Sequence, residues 1–429
     1  MNDISNPSIF HRILKRGIAD IIVERDLITR LESGKSLRLK MGFDPTRPDI
    51  HMGHVVGLRK LRQMQDLGHK VILIIGDWTA QIGDPSGQSA TRPMLTAEQV
   101  RANAESYMRQ FFKVIDSTRA EAVWQSEWFG TFDLSNVFDL TSRFTVAQLL
   151  ARDDFANRFK NNRPIAITEL LYPLLQAYDS VAIKSDVEFG GSDQRFNLLV
   201  GRDLQQMMGY SPQQCIIMPI LVGTDGVLKM SKSLDNYIGI EDTPRDMYGK
   251  TMSLPDEALT QYFELLTDIP SNEIEAMSKS IVEDNANPME FKKYLAKNLV
   301  AQFHSPIAAQ QAQEAFENTY QKSQMPPEDI QVISLGKWIA AWRREGTERI
   351  IPFEGIQQYS ADFSKPTWLV PIVPLLLGEN LVSSSSEGKR LLSQGAIQIN
   401  GSKISSDKVH LQDGSIIKVG KMRFARISN

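Results

Sequence analysis

The sequence is poor in cysteine and contains no long apolar run. Cys215 is the single cysteine among 429 residues, which excludes a disulfide framework or a cysteine-based metal cluster and predicts a reducing, cytoplasmic location. The longest apolar stretches are of the size of residues 71–75, far short of the roughly 20 residues that a membrane helix needs. We therefore predict a protein with no membrane partner, long enough for two or three domains.

The chain also lacks a strong charge of either sign, since its net charge is −3. The charge is unevenly distributed, because residues 366–429 contain eight Lys or Arg residues against four Asp or Glu residues. Beyond Asp413, four basic residues and no acidic residue occur. Such a surface attracts phosphate backbones, but lysine and arginine also keep exposed strand edges soluble, and the sequence leaves both interpretations open.

A strand, a helix and a second strand follow one another early in the chain. Residues 9–32 have apolar positions at helical spacing and predict a leading helix. Alternating apolar residues at 37–43 predict a strand that ends at Asp44, and residues 52–67 predict a helix ended by Gly68. The apolar run 70–75 predicts a buried strand. This unit is typical of an α/β fold with a Rossmann-like, doubly wound parallel sheet.

We predict four segments along the chain. Residues 1–235 would form the catalytic α/β domain and residues 236–349 an α-helical domain, because strand signals fade there. Residues 350–365 have the composition of a linker. Residues 366–429 would form a small basic α+β domain, with a capping box at Ser384 and Glu387 and a hairpin turn at Asn400 and Gly401.

The motif His51-Met52-Gly53-His54 lies where the predicted strand has ended and the predicted helix begins. Free backbone N–H groups and the helix dipole favour anions there, and two imidazoles three residues apart can both donate to phosphate oxygens. Gly53 lets a nucleotide approach the backbone closely. The alternatives are a His-x-x-His metal pair, for which no suitable third ligand lies nearby, and ordinary surface histidines.

A second basic motif, KMSKS, occupies residues 229–233 and follows a glycine-containing turn at 223–226. Lys229 and Lys232 are three residues apart, so on a mobile loop both can move onto a triphosphate and neutralise the charge that builds on departing pyrophosphate. Alone, such a run is usually a solvated basic face. Together with the histidine motif it indicates chemistry on a nucleotide.

The two motifs resemble the HIGH and KMSKS signatures of class I aminoacyl-tRNA synthetases, with methionine in place of isoleucine in the first. Four further segments are similar to the tyrosyl-tRNA synthetase branch, namely GFDPT at 42–46, IGDPSG at 82–87, LLYPLLQAYD at 170–179 and GGSDQ at 190–194. The C-terminal segment resembles the small RNA-binding domain of bacterial members.

This resemblance implies a two-step reaction. Tyrosine is activated with ATP to tyrosyl-adenylate with release of pyrophosphate, and the tyrosyl group then passes to the 3′-terminal ribose of tRNA(Tyr). The resemblance also implies a homodimer, with a helical dimerisation insertion around residues 110–180, and an anticodon-side role for the helical domain. Mg²⁺ would arrive with the nucleotide, without a protein-bound metal site.

The resemblance also assigns roles to individual positions. Asp84, Tyr172 and Gln176 would hold the substrate ammonium, and Asp179 would accept the phenolic proton of tyrosine. Asp193 and Gln194 would contact ribose and the substrate carboxylate. The catalytic set would bind phosphate oxygens and consists of Thr46, His51, His54, Lys229 and Lys232, with no general base because the substrate carboxylate is already ionised at pH 7. Further candidates are Gly42, Asp44, Gly53, Gly191, Met230, Ser231 and Ser233 for ATP, and Lys389, Arg390, Lys418, Lys421 and Arg423 for RNA.

Two positions depart from the family pattern. Lys40 replaces a tyrosine that also touches the substrate hydroxyl, and Met41 replaces a cysteine that reaches the ribose. Lys40 could form a pair with Asp179 around the phenol, through charge-assisted hydrogen bonds, or it could point to solvent and leave Asp179 to act alone. Methionine cannot donate a hydrogen bond to the ribose hydroxyl.

Two other functions compete with this one. A tryptophanyl-tRNA synthetase would share the fold and both motifs, but Asp179 and the basic C-terminal segment favour tyrosine. A noncatalytic, synthetase-like RNA-binding protein would be expected to have lost key residues of the phosphate motifs, whereas both motifs keep their histidines and lysines here.

Overall fold

The computed structural model describes residues 13–46, 49–86, 95–283, 286–318, 330–344, 357–359, 367–420 and 423–428, and the chain forms two compact units, Met1–Ala312 and Gln313–Asn429. Most of the predicted linker, Lys421 and the last residue of the IGDPSG segment lie outside the described residues. None of the helices in the described ranges is both long and apolar enough to cross a membrane.

A six-stranded sheet organises the first unit. Its strands are β1 (Asp20–Ile22), β2 (Arg38–Phe43), β3 (Lys70–Ile75), β4 (Ala120–Trp124), β5 (Val187–Gly191) and β6 (Gln214–Met218), in the spatial order β1-β6-β5-β2-β3-β4. All neighbouring strands are parallel except β1, which pairs antiparallel with β6. The predicted doubly wound parallel sheet is confirmed.

The strand order places a crevice between β2 and β5. The chain proceeds from β2 to β3 and β4 on one side, then returns to β5 and β6 on the other. At such a reversal the connections leave in opposite directions, so the carboxyl ends of the two strands open a ligand-sized gap. Within the paired part of these two strands, the register places Lys40 of β2 directly beside Glu188 of β5.

Helices cover the sheet and bury its apolar strands. Five of the six residues of β3 are buried, as expected for a strand covered on both faces. Among the described residues from Glu24 to Met207, the helices are α1 (Glu24–Glu32), α2 (Met52–Asp66), α3 (Thr79–Ile82), α4 (Ala97–Phe111), α5 (Ser126–Phe129), α6 (Leu134–Ser142), α7 (Val146–Leu150), α8 (Asp153–Lys160), α9 (Ile167–Ala182) and α10 (Arg195–Met207).

The leading helix predicted at 9–32 is interrupted, and that prediction is corrected. Gly17 adopts a left-handed backbone with φ of 63°, and the chain then forms β1 on the edge of β6 before α1 begins. The backbone groups of β1 obtain their partners from a strand nearly 200 residues later in the chain, which local spacing cannot reveal.

From residue 243 to residue 316 the described chain forms helices, as predicted. They are α11 (Pro244–Met252), α12 (Leu259–Leu266), α13 (Ser271–Val282), α14 (Pro288–Phe303) and α15 (Pro306–Phe316), the last of which continues past Ala312. By its internal contacts the segment to Ala312 belongs to the same compact unit as the sheet.

The second unit is a small α+β domain. Its elements are β7 (Gln331–Ser334), α16 (Leu335–Arg344), β8 (Gln357–Tyr359), β9 (Thr367–Pro371), α17 (Ile372–Gly378), α18 (Ser385–Ser393), β10 (Ile397–Ile399), β11 (Ser402–Lys403), β12 (Lys408–Gln412), β13 (Ile416–Val419) and β14 (Arg423–Ser428). They form a five-stranded sheet, β11-β10-β13-β14-β7, and a three-stranded sheet, β12-β9-β8. Asn400 and Gly401 have positive φ between β10 and β11, as the predicted hairpin turn requires.

The structure moves the start of this unit toward the N-terminus. Residues 331–344 were predicted to belong to the helical domain, but β7 pairs in parallel with β14. Ile333, Leu335 and Trp338 are buried in one apolar cluster with residues such as Val370 and Ile427. The strand and helix therefore complete the core of the second unit.

Candidate active site

The histidine motif caps helix α2 at the carboxyl end of β2. His51 is the N-cap, with an extended backbone, and its Nδ1 accepts the N–H of Gly53 at 3.2 Å. The backbone N–H of His51 in turn donates to Nδ1 of His54 at 3.1 Å. Because both Nδ1 atoms accept, each neutral ring carries its proton on Nε2, which remains a hydrogen-bond donor.

Both imidazoles are held neutral. Burial lowers the pKa of His54 to about 3, with the charges of Lys232 and Lys229 adding to the effect. Burial also places the pKa of His51 well below its usual value, together with His54 and the same two lysines. The attraction for an anion therefore comes from the helix N-terminus, the Nε2–H groups and the lysines.

Two glycines leave room at this end of the sheet. A Cβ added to Gly53 would lie 2.9 Å from Cε1 of His51, so a side chain there would displace the capping imidazole. A Cβ added to Gly42 would meet no atom within 4 Å, so β2 has open space beside it. Met41, by contrast, packs against α2, since a Cβ on Gly57 would lie 2.5 Å from Cε of Met41.

The KMSKS segment lies at the same site. Lys229 forms an ion pair with Asp193, and the ammonium of Lys232 donates to the backbone carbonyl of Asp49. Lys232 also lies 5.5 Å from the ring centroid of Tyr107. Met230 is buried, and the hydroxyl oxygen of Ser231 accepts the N–H of Ser233. These contacts hold the KMSKS segment in place.

Asp44 supports a tyrosine side chain. The carboxylate of Asp44 accepts the hydroxyl of Tyr172 at 2.9 Å and that of Thr79 at 2.7 Å. Burial raises the pKa of Asp44 to about 7, against the effect of the Thr79 hydrogen bond. Because the proton of Tyr172 is directed at Asp44, the lone pairs of its oxygen remain for another donor. The structure thus connects Asp44, which was predicted to bind ATP, with Tyr172, which was predicted to bind the substrate ammonium. Thr46 follows two positions after Asp44, and its backbone N–H donates to the backbone carbonyl of Asp44.

An amide network joins the remaining predicted substrate residues. Gln194 donates to Asp84 at 2.6 Å, and Asn197 donates to the side-chain oxygens of Gln176 at 2.9 Å and Gln194 at 3.0 Å. Arg152 donates to the side-chain oxygen of Asn197 at 3.0 Å. Sequence reasoning missed Asn197 and Arg152, because only the fold brings α10 and the α7–α8 connection to this point.

Asp179 lies on α9 and is almost completely buried. Both of its oxygens accept the side-chain amide of Gln125, at 3.1 and 2.9 Å. Burial raises the pKa of Asp179 to about 7, opposed by the charge of Lys40 and the Gln125 hydrogen bond. Gln125 is also bonded to the backbone and hydroxyl of Thr79, so it ties Asp179 to α3. Sequence reasoning missed Gln125 as well.

Both predictions for Lys40 are corrected. Its side chain is fully buried, so it does not point to solvent. Its ammonium contacts Glu188 at 2.9 Å, the hydroxyl of Ser180 at 2.7 Å and the backbone oxygen of Gln176 at 2.8 Å. An ammonium has three donors, and these three acceptors use all of them, so none is left for a phenol shared with Asp179. Glu188 was missed, although a glutamate inside an apolar strand was a signal for it.

The predicted RNA-binding residues lie in the second unit. Lys389 and Arg390 are exposed on α18, and Lys418 lies 5.4 Å from the ring centroid of Phe424. Arg423 instead bonds Glu387 at 2.7 Å and the carbonyl of Leu381 at 2.5 Å, which gives it a structural role. The guanidinium of Arg423 lowers the pKa of Glu387 to about 2.

No group of three or more His, Cys, Asp or Glu side chains suited to a metal ion occurs among the described residues. In the pair His51 and His54, Nδ1 is already used as an acceptor on each ring.

Comparisons with known proteins point to one family. A family model described as "tRNA synthetases class I (W and Y)" matches residues 32–321. A tyrosine–tRNA ligase of Dehalococcoides mccartyi is 52% identical over 415 residues, 97% of this chain and 97% of that protein. A tyrosine–tRNA ligase of Thermotoga maritima is 48% identical over 419 residues, 97% of this chain and 96% of that protein. The crystal structure of the Archaeoglobus fulgidus tyrosyl-tRNA synthetase complexed with L-tyrosine matches with a TM-score of 0.59 at 23% identity, covering 72% of this chain and 100% of that one.

Proposed function

The chain belongs to the class I tRNA synthetases for tryptophan and tyrosine and acts as a tyrosine–tRNA ligase, and we propose that tyrosine and ATP react in the crevice between β2 and β5. The observation that carries this proposal is the convergence of both phosphate motifs and the buried Asp179 at one edge of the sheet. Neither the tryptophan-specific nor the noncatalytic alternative is favoured.

The tyrosine subsite would use Asp179 for selection. A phenol donates to the carboxylate of Asp179, which Gln125 orients. Phenylalanine offers no such donor and would leave a buried carboxylate with one partner fewer, which costs binding free energy. The substrate ammonium would lie among Asp84, Tyr172 and Gln176, where the lone pairs on Tyr172 and the oxygen of Gln176 can accept.

The nucleotide subsite would align ATP for in-line attack by the tyrosine carboxylate on the α-phosphorus. The carboxylate is ionised at neutral pH, so no side chain has to remove a proton. The Nε2–H groups of His51 and His54 would donate to phosphate oxygens. Lys229 and Lys232 would neutralise the leaving pyrophosphate, which carries most of its charge late in the step. Asp193, now paired with Lys229, would be freed for the ribose when that lysine turns to phosphate.

Mg²⁺ would arrive bound to the nucleotide. Because Mg²⁺ prefers oxygen ligands, phosphate oxygens and water molecules can coordinate it, and the ion needs no set of protein ligands. In the second step the tyrosyl group would pass to a ribose hydroxyl of tRNA(Tyr). Lys389, Arg390 and Lys418 would contribute salt-dependent phosphate contacts.

We also propose a homodimer located in the cytoplasm. Exposed large apolar side chains are concentrated within the predicted insertion, and a chain that exposes several of them together usually covers them with a partner. They are Leu134, Phe138, Val146, Phe159 and Ile167, with exposed fractions of 62–79%. A single cysteine is consistent with a reducing cytoplasm.

The test is amino-acid-dependent exchange of pyrophosphate into ATP, with tyrosine, tryptophan and phenylalanine compared at equal concentration. We expect exchange with tyrosine and little with the other two. Exchange that depends on tryptophan instead, or no exchange with any of the three, would contradict the proposal.

A further inference from the structure

The buried ion pair between Lys40 and Glu188 forms a closed set of hydrogen bonds behind the tyrosine subsite. Oε1 of Glu188 accepts from Lys40 at 2.9 Å and from the side-chain amide of Gln176 at 3.1 Å. Oε2 accepts from the hydroxyl of Ser180 at 3.1 Å and from the side chain of Gln213. These donors fill the four acceptor positions of a carboxylate, and Lys40 has likewise used its three donors.

A closed set of this kind determines which way an amide points. The end of Gln176 that faces Glu188 must be its NH2, because a carboxylate only accepts. Its oxygen must then face Asn197, and the orientation of Asn197 is determined in turn because its oxygen is held by Arg152, which only donates. Charged groups at both ends therefore give the chain of amides a single polarity.

That polarity matters for the substrate ammonium. The oxygen of Gln176 uses one lone pair on Asn197 and has a second one left, whereas a reversed amide would present N–H groups to a cation. Lys40 also holds the backbone carbonyl of Gln176, so the pair restrains both the backbone and the side chain of this residue.

We infer that Lys40 and Glu188 are positioning residues that hold Gln176 with its side-chain oxygen, rather than its NH2, available to the ammonium of the amino-acid substrate. The inference rests on the proposed assignment of Gln176 to the ammonium subsite. It gives the unusual Lys40 a role in recognising the α-amino group, at a distance from the phenol.

The test compares two ligands that differ in the ammonium. Tyramine has an ammonium and no carboxylate, and 3-(4-hydroxyphenyl)propionate has a carboxylate and no ammonium. The variant is Lys40→Met/Glu188→Met, which replaces the pair with apolar side chains and leaves no buried charge, a type of change that folded proteins often tolerate. Dissociation constants for tyrosine and both ligands are measured by calorimetry on the full-length protein.

We expect tyrosine and tyramine to bind roughly tenfold or more weakly to the variant, since a hydrogen bond to a charged group is lost. Binding of the propionate should change by less than about twofold, and kcat at saturating tyrosine should fall less than kcat/KM. Equal weakening of all three ligands would mean that the pair only supports the fold, and would overturn the inference.

Three further measurements keep the test decisive. Lys40→Met/Glu188→Gln keeps the shape at position 188 and, if the first variant fails to fold, should show the same selective loss. In a Gln176→Leu background the selective loss should vanish, and its persistence there would contradict an action through Gln176.

The matched control is Arg158→Met/Glu169→Met, which removes another buried ion pair that involves α9 and should leave the ratio of tyramine to propionate affinity unchanged. If the unaltered protein does not prefer tyramine, the proposed ammonium subsite fails, independently of the ion pair.

Discussion

The carboxyl groups of Asp44, which is half-buried, and of Asp179, which is buried, have pKa values raised to about 7 because loss of water contact disfavours their ionised forms. Each is retained by a task that an apolar side chain could not perform. Asp44 orients the hydroxyl of Tyr172, and Asp179 is the proposed acceptor for the substrate phenol. Each of these two residues therefore lowers the free energy of unfolding at neutral pH while it provides a contact needed for recognition.

Replacing Asp179 with asparagine should stabilise the protein in a pH-dependent way while abolishing tyrosine activation. The unfolded carboxyl ionises near pH 4 and the folded one near 7, so the original protein loses stability as pH rises through this window. The variant avoids that loss, and its advantage in free energy of unfolding should grow from about zero at pH 4 to about 1–4 kcal/mol at pH 8. Denaturant unfolding at several pH values measures it.

The part of the Asp44 contribution that comes from its own burial is common to both proteins and cancels, whereas its repulsion with Asp179 is lost in the variant and belongs to the measured difference. Asp26→Asn, at an exposed position on α1, is the control, and the difference between the two variants isolates the effect of the buried position. An Asp179→Asn protein that becomes less stable at pH 8 than the original would show that the carboxylate is needed for the fold.

Lys232→Ala should slow adenylate formation by roughly 10²–10³-fold, because its charge is needed as pyrophosphate departs. The dissociation constant of tyrosine should change by less than about twofold, since Lys232 contacts Asp49 and Tyr107 rather than the tyrosine subsite. Pre-steady-state measurement of adenylate formation separates the two quantities. Similar losses in both would place Lys232 in substrate binding.

Helix α2 forms the proposed phosphate site through the geometry of its N-terminus. Its first-turn N–H groups are already bonded, Met52 to the carbonyl of Ile238 and Gly53 to Nδ1 of His51, so the helix attracts an anion through its dipole and the Nε2–H groups of its histidines. Gly53 provides the space in which the imidazole of His51 caps the helix. The N-terminus of the helix is therefore built for an anion.

Gly53→Ala should impair the use of ATP with only a small change in stability. Alanine favours a helix over glycine by up to about 1 kcal/mol, but its Cβ would meet His51 and displace the capping imidazole, and loss of a cap costs about 0.5–2 kcal/mol. We expect a higher KM for ATP and a lower kcat, with a melting temperature within a few degrees of the original, since these two effects oppose each other. Gly249→Ala in α11 is the matched control, because a Cβ there meets no atom within 4 Å, and it should leave ATP kinetics unchanged.

What the sequence predicts about the elements depends on how local their causes are. The β2-α2-β3 unit and the turn at Asn400 and Gly401 were predictable because their signals lie within a few residues. Strands β1 and β7 have three and four residues, and each finds its partner far along the chain. The site divides in the same way, since the motifs were visible in the sequence, whereas the pairing of Lys40 with Glu188 follows from the register of β2 and β5.

For the whole molecule, the position of β7 decides where the chain can be cut. A protein ending at residue 365, the boundary predicted from sequence, would keep β7 and α16 but lose β14 and the rest of their core. Ile333, Leu335 and Trp338 would then be exposed after being at least 92% buried, and burial of such side chains is worth about 1.5–3 kcal/mol each. We expect that protein to aggregate.

A protein ending at Asn318 keeps α15 complete and removes the described elements of the second unit. We expect it to remain soluble and to retain tyrosine-dependent pyrophosphate exchange, because every proposed tyrosine and ATP contact lies before residue 234. Charging of tRNA(Tyr) should fall sharply, since the cations Lys389, Arg390 and Lys418 are removed. Size-exclusion chromatography, exchange and tRNA charging, measured on the 318-residue, 365-residue and full-length proteins, test this together. If the 318-residue protein folds but has no exchange activity, the second unit is required for activation itself, and the proposed separation of activation from tRNA binding is wrong.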